Sequence, residues 1–156
     1  MELVVKSLRE MTPEEVFALF KLRVAVFVVE QKCPYQEVDD LDLTALHVFL
    51  RDETGIQACL RTFAGDAPGR AVIGRVIAAR RRCGLGSRVM TAGIRTAAER
   101  LGARVITLEA QVYARKFYEN LGFRATSEEF LMDDIPHVAM ELRLTDFAPP
   151  PHRTDS

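Results

Sequence analysis

A strand, a basic turn with two glycines and a helix follow one another between Ile73 and Met90, and this succession limits the folds open to the chain. Its sequence is IGRVIAARRRCGLGSRVM, an apolar run, then an arginine cluster, then a helical pattern. Glycine lets the backbone adopt positive φ and approach a ligand closely, and the first turn of a helix offers unpaired N–H groups at the positive end of its dipole. The turn therefore predicts a site for phosphate oxygens, although a tight turn with a solvated arginine cluster fits the spacing equally well.

The residues after the glycines exclude two other kinds of phosphate-binding loop. A P-loop requires Lys-Ser or Lys-Thr directly after its last glycine, whereas Ser87 and Arg88 follow Gly86 here. A dinucleotide-binding turn requires a third glycine in the pattern G-x-G-x-x-G, and the residues after Gly86 supply none.

The first helix is predicted from its N-terminal residues and its apolar spacing. Thr12 and Glu15 have the spacing of a capping box, with Pro13 at the first helical position. Helical spacing also relates four large apolar residues, which predicts that they form the apolar face of this helix: Phe17, Phe20, Val24 and Phe27.

The remaining patterns predict an α/β fold with a mixed sheet, in the order β-α-β-β-β-α-β-α-β-β. Residues 30–44 are predicted to be irregular and contain the acidic run Glu37 to Asp42, which is typical of a solvated surface. The unit from Ala71 to Gln111 is expected to be a parallel, right-handed βαβ crossover. The other predicted elements are strands over 45–51 and 56–63 joined by a hairpin turn, a strand over 71–79, a helix over 86–101, a strand over 104–111, a helix over 112–121, and strands over 123–128 and 137–144.

Two motifs resemble the GNAT family of N-acetyltransferases. Arg81 to Gly86 (RRCGLG) matches the (Gln/Arg)-x-x-Gly-x-(Gly/Ala) motif of that family, and Phe117 to Phe123 (FYENLGF) is similar to its second signature. The order of elements agrees over nearly the whole chain. Residues 23–39 (RVAVFVVEQKCPYQEVD) and 135–140 (IPHVAM) are similar to the ElaA-type branch of the family.

The resemblance implies a GNAT-like acyl-coenzyme A N-acyltransferase fold that uses acetyl-coenzyme A as cosubstrate. It implies that backbone N–H groups of the turn hold the pyrophosphate and that strand backbone lies along the pantetheine arm. The segment between strand and turn is about two residues shorter than is usual in the family. The cofactor-binding residues expected on this basis are Val76, Ile77, Ala78, Arg81, Arg82, Cys83, Gly84, Leu85, Gly86 and Ser87.

Three residues are candidates for moving protons. Tyr118 matches the tyrosine that serves many family members as general acid, and a phenol is protonated at neutral pH; Tyr118 also lies on an apolar helical face, so a core role is the alternative. His137, at the start of the last long strand, is a candidate for the general base, although a lone strand histidine is more often structural. Glu109, on the strand before the tyrosine helix, could act as base through water or could equally be a solvated strand residue. Glu30 and His47 are further candidates, each more easily explained as structural. The acidic run Glu37 to Asp42 could attract a cationic amine, although such a loop is usually a solvated surface.

Composition limits the partners and the compartment. The net charge of −1 and pI near 6.3 argue against a nucleic-acid module or an anionic-membrane binder. Three widely spaced cysteines form no metal-ligand pattern and suggest reduced thiols in a cytoplasm. We expect one domain over residues 1–147, a disordered tail over 148–156, no metal, and a small-molecule or peptide amine as acceptor.

The sequence leaves open the identity of the amine, the oligomeric state, for which a homodimer is one alternative, and a non-catalytic role. A protein of this fold that binds acyl-coenzyme A as a sensor needs the glycine turn, whereas an enzyme also needs a proton donor at Tyr118.

Overall fold

One mixed sheet of eight strands organises the computed structural model, which describes residues 1–79 and 84–147. Its strand order is β1-β2-β3-β4-β5-β8-β6, with β7 paired to β8. The strands are β1 (Glu2–Ser7), β2 (Leu46–Asp52), β3 (Gly55–Ala64), β4 (Arg70–Ala78), β5 (Val105–Gln111), β6 (Arg124–Ala125), β7 (Phe130–Met132) and β8 (Ile135–Arg143). The α-helices are α1 (Pro13–Val24), α2 (Leu41–Thr44), α3 (Leu85–Leu101) and α4 (Arg115–Asn120), and a π-helical turn (Ala25–Glu30) extends α1.

The predicted mixed sheet is confirmed, and so is the parallel pairing of the two strands that flank α3. Asp52 pairs with Gly55 across the predicted hairpin turn. Gly102, with φ 65°, caps the C-terminus of α3. No helix in the described part of the chain is long and apolar enough to cross a membrane.

The parallel strands β4 and β5 pair over only three residues and then diverge. Their register runs from Arg70 opposite Val105 to Val72 opposite Thr107. Beyond this point β4 continues to Ala78 and β5 to Gln111 without pairing to each other. We call the gap between them the split; it opens at the carboxyl ends of both strands.

A bulge in β4 lies directly after the paired residues. Opposite β3, Arg61 is in register with Gly74 but Cys59 with Ile77, so β4 holds one extra residue here. Arg75 lies in this bulge with φ 54°, in the left-handed region that favours glycine. The bulge thus separates the part of β4 that pairs with β5 from the part that borders the split.

Two apolar layers cover the two faces of the sheet. On one face α3 and α4 bury β-strand side chains such as Leu60, Ile73 and Leu108. On the other face α1 covers β1 to β4, with Leu19 packed near Phe49. We call these the α3 face and the α1 face.

The capping box at the start of α1 is confirmed, whereas its predicted apolar face is partly wrong. Thr12 N–H donates to Glu15 Oε1 at 2.9 Å and Glu15 N–H donates to Thr12 Oγ1 at 3.1 Å. Leu19 is the buried apolar residue of α1, while Phe17 is 66% exposed and Val24 is also exposed. Because Arg23 is buried in an ion-pair cluster, α1 is rotated away from the face that apolar spacing alone predicts.

The predicted elements differ from the structure at three places. The expected strand over 123–128 shortens to Arg124–Ala125, and Phe130–Met132 forms a further strand that the sequence pattern did not indicate. The helix expected over 112–121 is divided into a 3-10 turn (Val112–Ala114) and α4. In the stretch expected to be irregular, Leu41–Thr44 is helical. The tail expected over 148–156 lies outside the described residues.

Glu15 should make the stability of the fold depend on pH. The hydrogen bond from the Thr12 backbone, with further bonds from Lys6 and Arg51, lowers the pKa of Glu15 from 4.5 to about 2. A lowered pKa means that its contribution is present above pH 4.5 and is lost as the pH falls towards 2. We expect Glu15→Gln to lower the free energy of unfolding by about 1 to 2 kcal/mol at neutral pH. Denaturant unfolding at several pH values measures this, and the difference from the wild type should shrink below pH 4.5.

Glu14→Gln is the matched control, since Glu14 occupies the same helical turn but is exposed. An equal effect of both substitutions, or a Glu15→Gln effect that does not change with pH, would contradict this explanation.

Candidate active site

The glycine turn opens α3 at the wide end of the split. Gly84 is the N-cap of α3 with φ 72°, and a Cβ built on it meets nothing within 4 Å. At Gly86 a Cβ would lie 3.2 Å from the Phe117 ring of α4 and 3.9 Å from Ala78 Cβ. The first turn of α3, the start of α4 and the end of β4 therefore meet at this point.

The backbone of β4 beyond the bulge presents N–H groups to the split. Ala79 N–H donates to Gln57 O on the β3 side at 2.7 Å. Since successive N–H groups of a strand point to opposite edges, those of Val76 and Ala78 point to the split and that of Ile77 points to β3. The side chain of Ile77 is buried on the α1 face, whereas those of Val76 and Ala78 pack on the α3 face.

The other residues predicted to bind the cofactor belong to the turn. Leu85 is buried in the core, so only its backbone is available to a ligand, and Ser87 is half-buried in the first turn of α3. Arg81, Arg82 and Cys83 lie outside the described residues, and their predicted role stays a prediction.

Tyr118 lies in the core beneath the turn. It is buried, and its ring packs edge-on against Phe117 at 5.1 Å and Phe123 at 5.9 Å between centroids. Burial raises the pKa of the Tyr118 phenol above its ordinary value, so the group is protonated at neutral pH. Within residues 1–79 and 84–147, Tyr118 Oη makes no hydrogen bond.

His137 is buried on the α1 face, and a hydrogen bond identifies which of its ring nitrogens carries the proton. Its Nδ1 lies 2.6 Å from Ile135 O, and because a carbonyl only accepts, Nδ1 is the donor. In the neutral ring Nε2 then carries the lone pair and can accept a proton. Phe130 stacks on the ring with 6.2 Å between centroids, which fixes its orientation.

The acid and base candidates lie on opposite faces of the sheet. Leu108 and Ala110 of β5 are buried on the α3 face together with Tyr118. Glu109, next to both along the strand, therefore points to the α1 face, where it is exposed. His137 is in register with Gln111 and shares the α1 face with Glu109. The structure brings His137 and Glu109 to one side of the split and Tyr118 to the other.

A chain segment crosses the split on the α1 face. At one end Gln31 Nε2 and Gln111 Oε1 lie 3.5 Å apart, with Gln111 Nε2 donating to Gln31 Oε1 at 3.2 Å, and Cys33 Sγ donates to Asp133 O at 3.4 Å. At the other end Arg75 in the bulge of β4 contacts Glu37. We call residues 31–42 the strap.

A cluster of buried ion pairs holds the strap to β3 and α1. Arg23 Nε donates to Glu37 Oε1 at 2.7 Å, and its two terminal nitrogens donate to the Asp42 carboxylate at 2.7 and 3.0 Å. Arg61 pairs with Asp39 at 2.6 Å and with Asp42 at 3.0 Å. Burial alone would raise the pKa of Asp42, but the hydrogen bonds and charges of Arg23 and Arg61 outweigh it and lower that pKa.

The prediction that the acidic run is a solvated surface is therefore wrong for Glu37 and Asp42, which are buried. The sequence signal for their burial is the position of their two arginine partners. Arg23 lies in an apolar helix, and Arg61 lies inside a strand between Leu60 and Thr62. His47 is also buried, with Nε2 3.0 Å from Asp42 O, which supports the structural alternative for this residue. Glu30 is exposed.

Comparisons with known proteins match nearly the whole chain. Residues 8–144 match the acetyltransferase (GNAT) domain family. An acyl-CoA N-acyltransferase from Pseudomonas aeruginosa is 40% identical with a TM-score of 0.82, over 91% of this chain and 99% of that one. Escherichia coli ElaA is 33% identical with a TM-score of 0.84, over 91% and 99%. A CoA-dependent acyl-homoserine lactone synthase, 14% identical with a TM-score of 0.75 over 91% and 82%, shows the fold alone.

Removing Arg23 should destabilise the protein strongly, because Glu37 and Asp42 would stay buried without their cation. We expect Arg23→Met, which keeps most of the side-chain volume, to lower the free energy of unfolding by roughly 3 to 5 kcal/mol. Urea denaturation at neutral pH measures the change.

Arg70→Met serves as control, since Arg70 pairs with Glu141 at 2.9 Å but its side chain is 35% exposed. This control should lose about 1 kcal/mol or less. A similarly small loss in Arg23→Met would show that the buried cluster does not hold the strap.

Proposed function

The chain belongs to the acetyltransferase (GNAT) family, in its ElaA-type branch, and from this premise we propose that it transfers an acetyl group from acetyl-coenzyme A to a primary amine. The observation that carries the proposal is the split between β4 and β5, which opens beside the glycine turn of α3. Family membership supports acyl transfer, whereas the use of acetyl-coenzyme A as donor and of a primary amine as acceptor is our proposal.

The cosubstrate would bind along the split with its phosphates at the turn. The N–H groups at the start of α3 suit the pyrophosphate, because they are unpaired donors at the positive end of a helix dipole. The N–H of Ala78 suits the pantetheine arm and that of Val76 the thioester carbonyl, because within the described residues no strand pairs with them on that side. Gly84 leaves open space where a side chain would otherwise stand.

The two faces of the sheet would supply different catalytic groups, the general base on the α1 face and the general acid on the α3 face. A neutral amine on the α1 face attacks the thioester carbonyl carbon, and the N–H of Val76 would stabilise the developing oxyanion. His137 Nε2, directly or with Glu109 through water, accepts the proton that the ammonium group must lose. The carbon–sulfur bond then breaks, and Tyr118 Oη on the α3 face donates its proton to the departing thiolate. The second proton that the former amine nitrogen loses restores the Tyr118 phenol through water. The products are the N-acetylated amine and free coenzyme A.

The α1 face favours a basic acceptor. Glu109 is exposed at the edge of the split, and His137 lies on the same face. A carboxylate near the site attracts a cationic amine and raises its local concentration. A screen of small amines, polyamines and peptides with acetyl-coenzyme A, measured by release of free thiol, would identify the acceptor.

Gly84 provides the test of cofactor binding. Gly84→Asp places a carboxylate at the proposed pyrophosphate site, so we expect calorimetry to show a loss of coenzyme A affinity of about tenfold or more. Gly84→Asn is the matched control, since asparagine tolerates the left-handed conformation equally well but carries no charge. Gly84→Asn should lose clearly less affinity than Gly84→Asp. Wild-type affinity in a folded Gly84→Asp protein would remove the turn from the binding site.

Tyr118 provides the test of catalysis. Tyr118→Phe keeps the ring packing and removes only the hydroxyl, so we expect kcat to fall about 10²-fold or more with little change in Tm or in coenzyme A affinity. Steady-state kinetics with the best amine of the screen, with a melting curve, measures both effects.

Tyr113→Phe is the control, because Tyr113 is 74% exposed near the same helix; it should keep full turnover. Unchanged kcat in Tyr118→Phe would exclude the tyrosine as acid. A parallel fall of kcat and Tm would instead assign it to the core, and a wild type that binds coenzyme A without turning over any amine would favour a sensor.

A further inference from the structure

Arg75 occupies the bulge of β4 in a backbone conformation that suits glycine better. Its φ of 54° is one of few positive values at non-glycine residues in the described chain. The left-handed region is unfavourable for a residue with a Cβ, and Gly74 stands directly before it. An arginine at this position therefore calls for an explanation from its side chain.

The side chain of Arg75 contacts three residues of the strap. Nη2 donates to Glu37 O at 2.9 Å and lies 3.4 Å from Asp39 Oδ2. Nε lies 3.2 Å from Glu37 Oε1. The guanidinium also stacks over the Tyr35 ring, 5.4 Å from its centroid. A planar guanidinium with several donors makes such a combination, which a lysine cannot reproduce.

The buried Arg23 and Arg61 also form ion pairs with the strap, but neither lies at the split. Arg61 lies on β3, in register with Gly74 of β4, and Arg23 belongs to α1. Among the three arginines of the cluster, only Arg75 belongs to the strand whose backbone borders the split. It is also the most exposed of the three, at 22% of its side chain.

We propose that Arg75 is a positioning residue that holds the strap over the split, and so shapes the side from which the acceptor amine approaches. One residue thus joins two parts of the site. Its backbone forms the bulge that separates β4 from β5, and its side chain orders the segment that crosses the resulting gap. The kinetic part of this proposal rests on the function proposed above, whereas the ordering of the strap does not.

Arg75→Gly separates the two roles of the residue. Glycine accepts the positive φ without strain, so the bulge and the split should persist while the contacts to Tyr35, Glu37 and Asp39 are lost. We expect faster amide hydrogen exchange in residues 33–40 and unchanged exchange in β5 and α3. We further expect the KM for the amine to rise about tenfold or more, since a hydrogen bond to a charged group is typically worth about that factor. Coenzyme A affinity should stay within about twofold.

Two further variants complete the experiment. Arg75→Lys keeps the charge but not the forked donors, and its KM should fall between those of the wild type and Arg75→Gly. Arg124→Gly is the substitution control, because Arg124 is exposed in the edge strand β6, on the far side of β8 from the split. It should leave both the exchange of the strap and the KM unchanged.

The outcomes distinguish this inference from the proposed function. Wild-type exchange in the strap of a folded Arg75→Gly protein overturns the inference, whatever the activity. Faster exchange with an unchanged KM overturns its kinetic part. Equal losses in KM, coenzyme A affinity and Tm would show that Arg75 supports the fold as a whole, which also overturns it. If no amine is acetylated by the wild type, the proposed function fails and the exchange result still decides whether Arg75 orders the strap.

Discussion

The divergence of β4 from β5 beyond Val72 is the constraint on which the rest of the structure depends. A parallel pair that stayed in register to its end would leave no unpaired strand backbone between the two helical layers. The extra residue at Gly74 and Arg75 turns β4 away after three paired residues. The N–H groups of Val76 and Ala78 then lack a strand partner within the described residues, and they lie beside the start of α3. A binding cleft through the sheet follows from one local irregularity of one strand.

The buried ion-pair cluster is the second physical feature of the site, and it has a considerable desolvation cost. Three arginines and three carboxylates meet between α1, β3 and the strap, so the group is electrically balanced. Balanced pairs with good geometry offset most of the cost of burial, but apolar residues often stabilise a protein as well or better. The pairs do specify one position for a segment that has no regular secondary structure before α2, because each charge requires a partner of opposite sign. This specificity explains why a segment that crosses the split can be both polar and ordered.

The sequence predicted those features that depend on local patterns. The capping box of Thr12 and Glu15, the hairpin at Asp52 and the βαβ unit all follow from spacing and turn chemistry, and the structure confirms them. The family resemblance is confirmed as well. The exposure of Phe17 and the burial of Glu37 could not be predicted in this way, because both result from the partners of Arg23 in distant segments. The bulge at Arg75 is also invisible in the sequence, since a register shift depends on the pairing of β4 with β3. The roles of Tyr118, His137 and Glu109 stay predictions, now with geometry that places the acid and base candidates on opposite faces.

A crystal structure of the protein with an unreactive analogue of acetyl-coenzyme A, in which a methylene separates sulfur from the carbonyl, tests the central claim most directly. The account predicts that the pantetheine arm lies in the split and accepts a hydrogen bond from the N–H of Ala78, and that the acetyl carbonyl accepts one from the N–H of Val76. It also predicts that the sulfur lies within hydrogen-bonding distance of Tyr118 Oη and that the acetyl group is open to the α1 face. A pantetheine arm bound outside the split, or a sulfur on the side of His137, would contradict it.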